Sequence, residues 1–219
     1  MYSRSVMTMP LAREDESVVF VVDDDDPLRD AIAGLLRLDG IRVECFGTAQ
    51  EFLKQDLPDI PSCLVLDVRL PGVSGLSVQT ELADAAIQIP IIFMTAHGDI
   101  PMTVRAMKAG AVEFLTKPFR DQDLLDAVHL ALQKDRARRG EDRALARLRE
   151  NFVSLTSRER EILTLVSEGL MNKQIAAKTG LAEITVKIHR GNLSRKMGAR
   201  SVVELVKMAQ ALGVQAEKL

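Results

Sequence analysis

Four apolar runs end on a residue able to do chemistry. VVFVV (18–22) leads into Asp23 and Asp24, CLVL (63–66) into Asp67, and IIFM (91–94) into Thr95, while FLTKPF carries Lys117 just before Pro118. If these runs are neighbouring strands, three carboxylates, a hydroxyl and an ammonium converge on one pocket. Carboxylates crowded into a partly desolvated place hold their protons unless a cation sits among them. Oxygen ligands alone, on loops that leave room for water, suit Mg2+ better than Zn2+. A lysine and a hydroxyl beside that metal would complete a receptor for three phosphoryl oxygens. Such a set can transfer a phosphoryl group to a carboxylate by positioning and charge neutralisation alone.

The elements that would position these groups follow from the hydropathy pattern. Between Val18 and Lys134, VVFVV, IRVECF, CLVLD, IPIIFMTA and AVEFLTK read as strands. The segments LRDAIAGLLRLDG, TAQEFLKQ, SVQTELADA, DIPMTVRAMKAG and DQDLLDAVHLALQKD between and after them read as helices. Five continuous apolar strands alternating with helices predict a doubly wound α/β domain, a five-stranded parallel sheet buried on both faces. In such sheets the working groups lie at the carboxyl ends of the strands. Asp26, which precedes Pro27, reads as the N-cap of the first helix, so the metal falls to Asp23 and Asp24.

Beyond Lys134 the character of the chain changes. Residues 135–151, DRARRGEDRALARLREN, form a charged, helical connector that extends the fifth helix, with Gly140 as its weak point. Residues 152–219 contain only helical patterns, each closed by glycine, which predicts a small all-α helix-turn-helix domain. The charge divides at the same place. Residues 18–134 hold 10 Lys+Arg against 18 Asp+Glu, residues 152–219 hold 11 against 6, and the whole chain nets only −2. An acidic half and a basic half imply different partners for each.

Other features bound the reading. Cys45 and Cys63 lie in apolar surroundings and read as packing residues of a reducing compartment. No apolar run approaches the roughly 18 residues that span a bilayer. Residues 1–17 lack the apolar core of a signal peptide and read as a mobile extension, so no membrane is expected and the cytoplasm is the expected location. His97 reads as a loop residue two places beyond Thr95, and His129 as a helix-surface residue. With His189 in the other domain, no histidine cluster is expected.

In the basic half, AEITVKIHRGNLSRKMG (182–198) carries the strongest signal. On a helix Val186, Leu193 and Met197 fall within about 40° of each other and pack on Ile175 and Ala176 of the preceding helix. The opposite face then shows Thr185, Lys187, Ile188, Gly191, Asn192 and Arg195. Cations, amide and hydroxyl donors and one apolar contact make a suitable set for phosphates and base edges in a major groove.

Taken together, VVDDDDPLR, LVLDVRLPGVSG, MTAHGD and FLTKPF resemble the receiver domain (flavodoxin-like) of bacterial two-component response regulators. The segment LTSREREIL and the run GLMNKQIAAKTGLAEITVKIHRGNLSRKMGARS resemble the LuxR-type helix-turn-helix, and the order of the two is that of the NarL/FixJ family, nearest its FixJ-like branch. The resemblance implies Asp67 as phosphoacceptor, Asp24 as a direct Mg2+ ligand, Asp23 as a water-mediated one and the backbone carbonyl of Arg69 as a further ligand. It implies that Lys117 pairs with the acceptor's charge, that Thr95 turns toward the phosphoryl oxygen, and that Phe114 is the aromatic switch. Lys187 and Ile188 would read bases, while Thr185, Asn172 and Arg190 would position the DNA backbone; Gly191 departs from relatives that carry a base-reading side chain there.

The implied function is phosphorylation-dependent transcriptional regulation. The implied partners are a sensor histidine kinase, double-stranded promoter DNA, RNA polymerase and a second copy of the chain, the last through the surface of Met102, Val104, Arg105 and Lys108. An enzyme is not expected. Phosphatases with an aspartate nucleophile commonly place an acid/base aspartate two residues on, and that position is Arg69.

Overall fold

The computed structural model describes residues 16–96 and 98–214, which fall into two compact units, one ending at Arg139 and the other beginning at Gly140. The elements of the first unit are β1 (Val18–Val22), α1 (Asp26–Leu38), β2 (Arg42–Phe46), α2 (Ala49–Leu53), β3 (Ser62–Asp67), β4 (Arg69–Leu70), β5 (Val73–Ser74), α3 (Gly75–Asp84), β6 (Ile91–Thr95), α4 (Ile100–Lys108), β7 (Glu113–Thr116) and the start of α5 (Asp121–Val153). Five strands form one parallel sheet in the order β2-β1-β3-β6-β7. β4 and β5 make a separate two-residue antiparallel hairpin that the hydropathy pattern does not reveal.

The alternation of side chains along each strand builds two core layers. Phe20, Val22, Leu64, Leu66 and Phe93 face one way, against Phe52 of α2, Val78 and Leu82 of α3 and Ala106 of α4. Val19, Val21, Val65, Ile92 and Met94 face the other way, against Ile32 and Leu36 of α1 and Leu124 and Val128 of α5. Central strands buried on both sides must be apolar throughout, which is why VVFVV and CLVL contain no polar residue. Each large side chain so buried contributes about 1.5–3 kcal/mol.

Register then decides where polarity resumes. Val22 pairs with Leu66, Asp67 with Met94, and Thr95 with Thr116. The residues that leave β1, β3, β6 and β7 therefore emerge at one level on one edge of the sheet.

One expectation is corrected at α1. The N-cap is Asp25, whose carboxylate accepts from the Leu28 amide at 3.2 Å; Asp26 is the first helical residue and pairs with Arg29. Proline is tolerated at the second helical position as well as the first, because neither amide has a partner within the helix. The cap therefore sits one residue earlier than the proline suggests.

Helix α5 runs unbroken through the charged connector, Gly140 included. It is not solvated from its first connector residue. Asp135 is fully buried and accepts from the Ser62 amide at 2.9 Å, from Arg138 Nη2 at 2.6 Å and from Arg139 Nε at 2.6 Å. Arg139 also holds Asp59 at 2.8 Å. These contacts fasten α5 to the amino end of β3 within the first unit.

The second unit contains α6 (Ser157–Ser167), α7 (Asn172–Thr179), α8 (Glu183–Met197) and α9 (Val202–Ala211) around Leu163, Val166, Ile175, Val186, Leu193 and Leu205. Gly180 closes α7 at φ +68°, the left-handed conformation that glycine adopts without a Cβ clash and that turns the chain sharply into α8. At the start of α6, Thr156 and Glu159 form a reciprocal capping box.

Candidate functional site

The carboxyl edge of the sheet brings most of the expected groups together. Lys117 Nζ donates to Asp23 Oδ2 at 2.6 Å and to Asp67 Oδ2 at 2.5 Å. Carboxylate oxygens of Asp23, Asp24 and Asp67 all lie within 4.8 Å of one another. Asp23 is wholly buried, Asp67 is nearly so, and Asp24 is exposed. The site thus has an inner charged floor and one carboxylate open to water.

Backbone groups fix the two inner carboxylates. The Asp25 amide donates to Asp23 Oδ1 at 2.9 Å, and the Arg69 amide donates to Asp67 Oδ1 at 2.7 Å. Arg29, on the first turn of α1, donates through Nη1 to the Asp23 carbonyl at 2.6 Å. Gly75 lets α3 approach closely, since a Cβ there would lie 2.5 Å from the Asp67 carbonyl oxygen. Any side chain at 75 would displace the backbone that carries Asp67.

The charges perturb one another in ways that follow from this geometry. Burial pushes the Asp23 carboxyl above its ordinary value, outweighing the Lys117 ammonium and the Asp25 amide that hold it down. Burial pulls the Lys117 ammonium down, but its hydrogen bonds and charge interactions with Asp23 and Asp67 raise it above the usual lysine value. Two buried carboxylates with one ammonium leave net negative charge in a confined space. An oxygen-ligand set of this kind suits a hard divalent cation such as Mg2+, which Asp23, Asp24 and Asp67 would hold.

Thr95 is buried at the end of β6, and its carbonyl accepts from the Lys117 amide at 2.7 Å. Phe114 lies three residues before Lys117 on β7, half-buried against the core, with its ring 6.2 Å from that of Phe93. It is not in the polar cluster. Among the carboxylates of the DDDD run, Asp25 and Asp26 serve α1. His97 and residues 1–15 of the N-terminal extension lie outside the described residues. Sequence reasoning missed Arg29, whose only signal is a position one helical turn past the aspartates.

In the second unit α8 presents the face expected of it. Val186, Leu193 and Met197 are buried, while Lys187, Ile188, Gly191 and Arg195 are exposed. Thr185, Arg190 and Asn192 are half-buried at the margins. Arg190 donates to Asn172 of α7, and Arg195 to Asn192. Arg190 and Asn172 thus form one polar bridge between the two helices of the turn. Three anchors hold this pair of helices. Arg158 donates to the Thr179 carbonyl at 2.9 Å, Lys196 contacts Glu159 at 2.6 Å, and Ile175 packs in the core. The sequence pattern did not single out Glu159, nor Ile184, which is exposed on α8 beside Ile188.

Comparison with known proteins now bears on both units. Residues 19–129 match the family model "Response regulator receiver domain", and residues 153–209 match "Bacterial regulatory proteins, luxR family". Nodulation protein W of Bradyrhizobium diazoefficiens is 57% identical over 201 residues, covering 92% of this chain and 88% of that protein. The transcriptional regulatory protein FixJ of Azorhizobium caulinodans is 40% identical, covering 90% of this chain and 93% of that one. This chain belongs to the FixJ-like response regulators.

The solved structure of the response regulator StyR superposes on the regulator with a TM-score of 0.80 at 50% identity, covering 89% of this chain and 98% of that one. The regulator therefore joins a receiver domain to a LuxR-type DNA-binding domain, as a phosphorylation-dependent transcriptional regulator does. Among its described residues no helix is long and apolar enough to cross a membrane.

Proposed function

We propose that Asp67 accepts a phosphoryl group from a sensor histidine kinase in the presence of Mg2+, and that the modified regulator dimerises and binds promoter DNA. The observation that carries this reading is the bridging of Asp23 and Asp67 by Lys117 Nζ at 2.6 and 2.5 Å. In the transfer an Asp67 carboxylate oxygen forms a bond to phosphorus while the bond from phosphorus to the donor's imidazole nitrogen breaks. The electron pair of that bond leaves with the imidazole. Bound Mg2+, held by Asp23, Asp24, Asp67 and the Arg69 carbonyl, would supply charge neutralisation for the phosphoryl oxygens.

Lys117 is the protein's own cation at the acceptor, and transfer gives its ammonium a phosphoryl oxygen in place of the carboxylate charge. Thr95 then hydrogen-bonds the phosphoryl oxygen, and Phe114 follows by packing more deeply. Both residues border the surface of α4 and β7, where Ile100, Val104 and Met107 are exposed apolar residues suited to a second copy. RNA polymerase is a candidate partner of the assembled dimer. In the second unit Lys187 and Ile188 reach base edges, and Asn172, Thr185, Arg190, Asn192 and Arg195 position the duplex.

The direct test is labelling by radiolabelled acetyl phosphate with Mg2+. Asp67→Asn should reduce incorporation to background while leaving the fold intact by circular dichroism. Undiminished acylphosphate in that variant would remove Asp67 from the acceptor role.

A further inference from the structure

The exposed midline of α8 begins with two isoleucines, Ile184 and Ile188. At 100° per residue, the buried stripe of Val186, Leu193 and Met197 lies diametrically opposite a stripe formed by Ile184, Ile188, Gly191 and Arg195. Ile184 is 64% exposed and Ile188 57% exposed, one helical turn apart. Lys187 flanks them on one side and Asn192 on the other. A Cβ placed on Gly191 would meet no protein atom within 4 Å, so the stripe is open at that position.

Scattered exposed isoleucines are ordinary. Two on the outermost line of one helix, bordered by a cation and an amide in a unit of positive net charge, are a patterned surface. A surface that only bound phosphates would gain most from cations at those positions. The one apolar group that base edges present in the major groove is the C5-methyl of thymine. Positive charge draws this face to a polyanion, and the isoleucines then meet whatever lies on the groove floor.

We propose that Ile184 and Ile188 read thymine methyl groups, making both residues determinants of the DNA half-site. Four residues of helix rise about 6 Å, close to two base-pair steps of about 3.4 Å, so the two contacts fall on pairs two steps apart, with one pair between them. Gly191 leaves room for the bases beyond them to approach the helix backbone. This inference rests on the reading that α8 enters the major groove, and it adds which base chemistry the helix selects there.

The test starts with duplexes selected from a random library by the full-length regulator treated with acetyl phosphate. Each thymine of the selected half-site is then replaced singly by deoxyuridine, which lacks only the methyl group. We expect two positions at which the replacement weakens binding about fourfold, the factor that corresponds to about 0.8 kcal/mol for one buried methyl. Ile184→Ala should weaken binding to the thymine duplex by a similar factor and abolish sensitivity to uracil at one of those positions; Ile188→Ala should do so at the other. Alanine at an exposed helical position favours the helix, so both variants should fold.

Uracil replacement without effect at every position, or with the same effect in wild type and both isoleucine variants, overturns the assignment. Those outcomes leave groove binding intact if Lys187→Ala still weakens every duplex. Selection of no duplex at all defeats the groove reading itself.

Discussion

At the scale of single residues, Lys117 carries the most consequential contacts in the receiver. It is the cation shared by a fully buried carboxylate and a nearly buried one. Removing one partner of a buried ion pair typically costs about 3–5 kcal/mol, because the remaining charge is left uncompensated. Lys117→Met should therefore lower the stability of the receiver in EDTA by about 3 kcal/mol. It should also raise the affinity for Mg2+, since the ammonium no longer competes for Asp23 and Asp67. Thermal melts with and without the same excess of Mg2+ decide the matter, because a ligand that binds only the folded state stabilises it by an amount that grows with the logarithm of its affinity. An equal Mg2+-induced shift in wild type and variant would show that Lys117 and the ion do not share the carboxylates.

Residue types made this site legible. Apolar runs ending in aspartate, threonine and lysine give the strand ends away. Arg29 and Asp25 were not legible in the same sense, because their roles depend on backbone groups and on the start of α1, which proline fixes only to within one position.

Among elements, α6 and α8 depend on one pair. Glu159, buried at the third position of α6, closes the capping box with Thr156 and accepts from Lys196 near the end of α8 at 2.6 Å. Burial alone would raise the Glu159 carboxyl, but the Lys196 ammonium and the Thr156 amide and hydroxyl hold it below its ordinary value of 4.5. A depressed carboxyl contributes stability that is present above the unfolded value and is lost as pH falls through the folded one. The helical unit should lose this contribution on acidification below about pH 4.5. Lys196→Met should show a shallower loss. Circular dichroism melts between pH 3 and pH 6 measure both slopes, and parallel slopes would mean that the pair is not coupled to folding.

Helix types and the glycine stops were legible because periodicity and turn chemistry are local. The burial of Asp135 was not. Its backbone partner, Ser62, lies 73 residues away, and nothing near position 135 distinguishes it from the solvated aspartates around it. The hairpin of β4 and β5 escaped for a different reason, since two residues per strand are too few to show a period.

For the whole molecule, the informative quantity is the distribution of charge rather than its sum. A near-neutral total conceals an acidic receiver and a basic helical unit. Only the second can gain from counterion release on a polyanion. Each cation that neutralises a DNA phosphate adds about −0.9 to the slope of log affinity against log salt. With Arg190 and Arg195 as the cations of α8 that position the duplex, one copy should give a slope of about −2, and two copies on a two-fold site about −4. Phosphorylation should therefore steepen the salt dependence of DNA binding as well as raise the affinity. Titrations of a selected duplex at several potassium concentrations, at constant Mg2+ and with and without acetyl phosphate, measure the two slopes. Asp67→Asn should hold the shallow slope under both conditions. Equal slopes for the phosphorylated and unphosphorylated wild type, with affinity changed, would mean that phosphorylation alters how one recognition helix is presented without bringing a second to the DNA.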